Sequence, residues 1–123
     1  MFRIIFSLAA ASILLAGPAA ADEVLKGAEI RALLSDAKLK ARAKNGRTYT
    51  IRYLADGTAT LQMDDYSFAD KGRWSVEGDA SCSQWEKIRD GAKGCWDVFS
   101  RGGDDYFFRG RDGMRDVKAE VTR

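Results

Sequence analysis

Hydrophobic and polar residues change their spacing along the chain, and the change predicts one helix followed by many strands. Apolar residues recur every three to four positions from about Lys26 to Asp36, which is typical of an amphipathic helix. The residues expected on its buried face are Ile30, Leu33, Leu34 and Ala37. Beyond this helix, short runs of alternating residues are separated by glycine, asparagine and aspartate, which indicates strands joined by tight turns.

The clearest β-hairpin spans positions 48–63. Its first strand, Thr48–Leu54, places two tyrosines and an isoleucine on one face and polar residues on the other. Asp56 and Gly57 supply the turn, and the second strand is Thr58–Met63. Six further strands are predicted at Leu39–Ala43, Gly72–Glu77, Ser81–Trp85, Cys95–Ser100, Asp105–Arg109 and Asp116–Val121. We therefore expect a single, mainly β domain at residues 22–123, with about eight short strands in an antiparallel meander that forms a small barrel or sandwich, and the helix at one end.

The first 21 residues have the pattern of an export signal that forms a helix and is then removed. Arg3 precedes an apolar stretch, Ile4–Ala16, that is too short to span a bilayer comfortably. Small residues follow at Ala19–Ala21, where a signal peptidase would cleave; the alternative is a retained membrane anchor. We therefore expect a signal peptide at residues 1–21, a periplasmic or secreted location, and no stable membrane insertion after cleavage.

Cys82 and Cys95 are the two cysteines of the chain, and both lie in predicted strands. Export would deliver them to an oxidising compartment, so we expect a structural disulfide between them. A redox-active pair needs the closer Cys-x-x-Cys spacing, and zinc needs further cysteine or histidine ligands. Since the chain has no histidine, the sequence predicts no metal site and no cofactor.

The absence of histidine also narrows the possible catalytic chemistry. Acid–base catalysis would depend on carboxylates, and the candidates considered are Asp65, Asp105 and Asp112. Solvated turns explain these aspartates better, because adjacent aspartates on a strand point to opposite faces. The formal net charge is only +2, which gives no field that would attract nucleic acid. We expect a protein that is not an enzyme and does not bind nucleic acid.

Several segments together resemble a family of short exported proteobacterial proteins known only as a domain of unknown function. The segments are Leu25–Leu34, Tyr53–Thr58, Gly72–Asp79, and Cys82 with Trp85 and Cys95. The resemblance covers nearly the whole chain after the predicted signal, although Ala55 stands where the family has proline. It implies the layout of one helix and strands and supports the disulfide, but it implies no activity, substrate or catalytic residue.

The leading functional hypothesis is a non-enzymatic binding module for a protein or a cell-envelope component. Small disulfide-bonded β scaffolds present loops well, and some inhibitors are built in this way, which is an argument from fold analogy. The longest predicted links are Asp64–Lys71 and Glu86–Gly94, where a functional surface is expected. The candidate binding surface beside these links consists of Tyr66, Phe68 and Trp85.

The alternative hypothesis is a carrier of small apolar ligands with a lipocalin-like barrel. The Gly-x-Trp segment at Gly72–Trp74 suggests it, because lipocalins carry such a segment at a strand start. The residues that would line the barrel are Tyr49, Ile51, Tyr53 and Trp74. An internal cavity would favour this carrier, whereas joint exposure of Phe68 and Trp85 would favour the protein interface.

Overall fold

The computed structural model describes residues 22–123, which form one α-helix and nine strands. The elements are β1 (Glu23–Val24), α1 (Gly27–Leu34), β2 (Lys38–Arg42), β3 (Thr48–Tyr53), β4 (Thr58–Met63), β5 (Ala69–Glu77), β6 (Ala80–Trp85), β7 (Gly94–Ser100), β8 (Asp105–Gly110) and β9 (Val117–Thr122). A short turn over Ile88–Gly91 lies in the β6–β7 connection. The predicted signal peptide at residues 1–21 falls outside the described residues.

Strands β2 to β9 form a closed antiparallel barrel in which each strand pairs with the next. The barrel closes where β9 pairs with β2, with Leu39 opposite Val121. Strand β1 pairs with the part of β7 that β6 leaves free, with Val24 opposite Phe99. The prediction of a mainly β meander is confirmed, and of its two forms the chain adopts the barrel. Closure removes the exposed edges that an open sheet of these eight strands would have.

The hairpin predicted at positions 48–63 is present as β3 and β4. Ile51 lies opposite Leu61, and both side chains are buried, whereas Arg52, the next residue along β3, is exposed. Gly57 in the turn has a φ of 91°, a backbone conformation that glycine adopts without steric cost. The alternation of the sequence therefore sets which side chains enter the barrel, as expected for a strand with one buried face.

Helix α1 covers one end of the barrel, which we call the helix end. Ile30 and Leu34 are completely buried there, because the helix presents this face to the barrel core. The backbone N–H of Gly27 donates to Oδ1 of Asp79 in the β5–β6 turn at 2.8 Å. The helix is slightly shorter than predicted, and Asp36, with a φ of 59°, lies in the turn that leads from it into β2.

The opposite end of the barrel, which we call the loop end, carries four connections. They are residues 43–47, 64–68, 86–93 and 111–116. Strand β5 begins at Ala69 instead of Gly72, so the first of the two predicted long links is shorter than expected. Within the described part of the chain, no helix has the length and apolar character needed to cross a membrane.

The predicted disulfide between Cys82 and Cys95 is confirmed. The two residues lie directly opposite each other on β6 and β7, with their Cα atoms 4.1 Å apart. Ser81 and Ser83 on either side of Cys82 face the barrel interior, so the disulfide lies on the outer wall. It therefore fastens together the two strands that lead into and out of the 86–93 connection.

Candidate functional site

A half-open cavity of about 400 Å³ lies within the barrel and opens between the connections of the loop end. Its wall is mostly apolar and aromatic, and the side chains of the wall include Tyr49, Ile51, Leu61, Met63, Trp85 and Phe108. Phe68, Ile88 and Met114 contribute from the connections. The volume falls within the range of about 300–1,000 Å³ that small-molecule sites occupy.

Small residues on two neighbouring strands make room for this cavity. Ser81 and Ser83 of β6 face inward, and Ser83 lies opposite Gly94 of β7. A Cβ atom on Gly94 would lie 2.7 Å from Sδ of Met114 and 3.0 Å from Nη2 of Arg89. Both distances are shorter than side chains normally tolerate, so the glycine leaves space for the groups at the mouth of the cavity.

Trp85 corrects the predicted binding surface. Its side chain is only 5% exposed, because it shares the inward face of β6 with Ser81 and Ser83. Phe68 lies at the rim of the cavity, with its ring centroid 5.6 Å from Nζ of Lys87. Tyr66 is 83% exposed in the 64–68 connection and does not line the cavity. Trp85 therefore does not share an exposed surface with Tyr66 and Phe68, the other two residues of the candidate binding surface.

The residues expected to line an apolar-ligand barrel divide into two groups. Tyr49, Ile51 and Tyr53 line the cavity as predicted. Trp74 does not line the cavity; its Nε1 donates to the carbonyl of Leu54 at 2.8 Å, and its ring meets that of Tyr53 edge-on. Burial raises the pKa of both tyrosine hydroxyls, so they are neutral polar groups in an apolar wall.

Arg89 brings a cation into the cavity from the 86–93 connection. Its Nε and Nη2 atoms are the two buried side-chain polar atoms that have no hydrogen-bond partner among residues 22–123. Within the same range no carboxylate forms an ion pair with it. Burial lowers the pKa of Arg89 from its ordinary value, yet a guanidinium remains charged at physiological pH. Leaving such donors unsatisfied costs about 1–3 kcal/mol or more, which makes this group exceptional.

The backbone that carries Arg89 is strained. Arg89, Asp90 and Gly91 have consecutive φ angles of 54°, 52° and 81°. Left-handed backbone costs non-glycine residues about 1–3 kcal/mol each, and it persists where the surroundings enforce it. The connection is thus held in a defined shape that directs the guanidinium toward the cavity.

Asp70 is the side chain that holds this connection. It is buried on β5, and its Oδ2 accepts the backbone N–H groups of Lys87 at 3.0 Å and Ile88 at 2.9 Å. Its Oδ1 accepts the backbone N–H of Lys71 at 2.8 Å. Burial raises the pKa of Asp70, but the three N–H groups outweigh that effect, so the pKa lies below its usual value. The carboxylate therefore fixes the two residues that precede Arg89.

We expect Asp70→Asn to lower the free energy of unfolding by about 2 kcal/mol at neutral pH, because an amide cannot accept at both oxygen positions. A carboxylate whose pKa is lowered by folding stabilises the protein above its unfolded pKa, and this contribution disappears as the pH falls through the folded pKa. The difference between wild type and variant should therefore shrink in acid. Urea unfolding across a pH series measures it.

The control for this prediction is Asp112→Asn. Asp112 is an exposed turn residue with a φ of 52°, a conformation that asparagine tolerates well. This variant makes the same change of charge and should unfold at nearly the wild-type urea concentration at every pH. An equal loss of stability in both variants would contradict the role assigned to Asp70.

The three aspartates considered for catalysis do not meet at one site. Asp65 and Asp112 are exposed in different connections of the loop end, and Asp105 begins β8 at the helix end. Asp65 accepts hydrogen bonds from Ser67 and lies 3.4 Å from Nη1 of Arg47. These contacts are those of turn residues, in agreement with the interpretation from the sequence.

One group of side chains in the described chain has the proximity needed for a metal ion, namely Glu77 with Cys82 and Cys95. The disulfide engages both sulfur atoms, so neither is a thiolate that could bind a metal. The carboxylate of Glu77 pairs with Nζ of Lys93 at 2.9 Å. The group is thus accounted for by the disulfide and a surface ion pair.

Ser83, Arg89 and Gly94 are not among the site residues predicted from the sequence. One usable signal was the alternation on β6, because Ser81, Ser83 and Trp85 share a face that Cys82 does not. Two small polar residues on an inward face beside a tryptophan indicate open space in a barrel. No pattern indicated Arg89, since its placement depends on a left-handed turn in which only the last residue is glycine.

Comparison of the chain with known protein families, with curated proteins and with solved structures finds no match. The resemblance to short exported proteobacterial proteins therefore stays a prediction. The features of the chain that bear on its function are the cavity, the residues that line it and the cation at its mouth.

Proposed function

We propose that the protein binds a small, largely apolar molecule inside its barrel and acts as a carrier or binding protein for it. The observation that carries the proposal is the cavity of about 400 Å³ with its mostly apolar and aromatic wall. Transfer of apolar surface from water into such a wall contributes about 25 cal/mol for each Å² buried. A ligand that fills the cavity therefore gains affinity without any change in the fold.

The arrangement of the two barrel ends supports a ligand that enters at one side. Helix α1 fills the helix end with Ile30 and Leu34, and both side chains are completely buried. Among residues 22–123 no α-helix covers the loop end, and its four connections surround the mouth of the cavity. The neutral hydroxyls of Tyr49 and Tyr53 add hydrogen-bonding groups inside the wall, which can orient a ligand that carries polar atoms.

We place this binding activity outside the cytoplasm, in the periplasm or the secreted fraction. The Cys82–Cys95 disulfide supports this location, since such bonds persist mainly in oxidising compartments. The pattern of residues 1–21 supports it independently. The surface expected for a protein or cell-envelope partner is incomplete, because Trp85 is buried. We therefore propose a non-enzymatic binding role for the cavity instead.

Filling the cavity provides the test. We expect Ser83→Leu to weaken binding of the neutral dye N-phenylnaphthylamine by at least about tenfold, because the added carbons occupy space that the dye needs. The folded state should be at least as stable as wild type, since the change buries apolar surface in an open space. Dye fluorescence measures the affinity, and urea unfolding measures the stability.

Ser75→Leu is the matched control. Ser75 lies on the neighbouring strand β5 and is exposed on the outer wall, so the same substitution there leaves the cavity unchanged. This variant should bind the dye as wild type does. Absence of dye binding by the wild-type protein, or equal binding by all three proteins, would refute the proposed function.

A further inference from the structure

We propose that the ligand of the cavity is a carboxylic acid with an apolar body, and that its carboxylate binds the Nε–Nη2 edge of Arg89. This inference rests on the proposed function and names the substrate class of the same site. The apolar body lies against the aromatic wall of the barrel, and the acid group lies at the mouth, beside the 86–93 connection.

The unpartnered atoms of Arg89 define the shape of the acid group. Nε and Nη2, both without a hydrogen-bond partner among the described residues, form one edge of the planar guanidinium, where their two N–H bonds point in nearly the same direction. Two parallel N–H donors match the two oxygens of a carboxylate, which is the bidentate arrangement that arginine forms in proteins. A neutral hydroxyl can satisfy only one of the two.

The surroundings pack closely around this edge, since Nε and Nη2 have almost no exposed surface, so a carboxylate reaches them when the guanidinium turns toward the cavity that Arg89 lines. The guanidinium carbon lies 5.4 Å from the ring centroid of Trp96, so a cation–π contact already engages the group from the aromatic side. Gly94, which lacks a Cβ, lets Nη2 pack against its backbone, because a Cβ there would lie 3.0 Å from Nη2. Asp70 and the left-handed turn fix the backbone on which Arg89 stands. The backbone that carries the guanidinium is therefore fixed before a ligand binds.

Two carboxylates toward the loop end, those of Asp65 and Asp97, have arginine partners of their own. Oδ2 of Asp65 lies 3.4 Å from Nη1 of Arg47, and Oδ1 of Asp97 lies 2.6 Å from Nη2 of Arg111. Arg89 has no such ion pair among the described residues and faces an apolar wall. Charge complementarity thus favours an acidic ligand over an uncharged one, because an apolar environment strengthens the attraction.

Two probes of equal length separate the acid group from the apolar body. Decanoate and decanol should both displace N-phenylnaphthylamine from the wild-type protein, and decanoate should bind roughly 10- to 100-fold more tightly. In Arg89→Gln this preference should disappear, while the affinity for decanol changes by less than about threefold. Arg89→Lys keeps the charge but loses the pair of parallel N–H donors. It should therefore show a preference for decanoate between those of Arg89→Gln and the wild-type protein.

Arg52→Gln is the charge-matched control. Arg52 is exposed on the outer wall between two inward-facing residues of β3, so its removal should leave the preference for decanoate unchanged. Arg89→Gln itself should unfold at no lower urea concentration than wild type, since it removes buried donors without partners. A folded variant with altered specificity is therefore expected, and a merely structural role for Arg89 would not produce one.

The outcomes separate the two proposals. Equal binding of decanoate and decanol by the wild-type protein would overturn the inference and leave the proposed function in place. A preference for decanoate that survives in Arg89→Gln would also overturn it, and full recovery in Arg89→Lys would overturn the two-oxygen geometry. If neither the dye nor either probe bound, the proposed function would fail together with the inference.

Discussion

Replacing Leu34 with alanine should lower the free energy of unfolding by about 4 kcal/mol. Leu34 is completely buried where α1 closes the helix end, and it belongs to the main hydrophobic core. The substitution removes apolar contacts and leaves a space that the rigid barrel cannot fill by relaxing. Urea unfolding followed by tryptophan fluorescence measures the loss.

Leu33→Ala provides the control within the same helix. Leu33 is half-buried and packs at the edge of the core, so the same change should cost only about 1 kcal/mol. Both leucines lie in a helix of eight residues, and the change in helix propensity is therefore the same. Equal losses in the two variants would mean that α1 is not a tightly packed closure of the barrel.

Loss of the disulfide is the second change for which we expect a large effect. The Cys82→Ala and Cys95→Ala double variant should lose about 3 kcal/mol of stability, because the bond no longer restricts the unfolded chain between β6 and β7. For a domain of this size, the Tm should fall by roughly 10–20 °C. Calorimetry of the oxidised wild type and the double variant measures the difference.

Reduction of the wild-type protein offers a control that changes no residue. Dithiothreitol should lower the Tm of the wild type toward that of the double variant, and it should not affect the double variant. The chain holds no cysteine besides these two, so no other thiol can contribute. An unchanged Tm after complete reduction would show that the bond adds nothing to the stability of β6 and β7.

Local patterns predicted the elements that depend on local interactions. The helix around Ile30 and Leu34 follows from apolar spacing, and the β3–β4 hairpin follows from alternation around Asp56 and Gly57. The pairing of Cys82 with Cys95 followed from compartment and strand assignment. These features could be predicted because each depends only on residues close together in the sequence or on the presence of one residue type.

The features that sequence analysis missed depend on contacts between distant segments. Strand β5 extends back to Ala69 because Ala69 and Asp70 pair with β4, although an aspartate disfavours strands when taken alone. Asp70 then reaches the 86–93 connection, seventeen positions away from Lys87. Trp85 belongs to the candidate binding surface because it adjoins a predicted link. In the structure it lies on the same inward face of β6 as Ser81 and Ser83, because side chains alternate along a strand. The position of Arg89 could not be predicted for the same reason, since Asp70 and the end of β6 together set it.

The pairing of β9 with β2 joins strands from opposite ends of the described chain. Every other pair among the eight barrel strands joins neighbours along the chain, and such contacts form with little loop-closure entropy. Lys38 and Thr122, by contrast, are brought together across almost the whole described chain. The meander can therefore grow hairpin by hairpin, but the cavity exists only after this last seam closes. Ligand binding should therefore be detected only in the completely folded protein, because a partly folded sheet lacks the cavity.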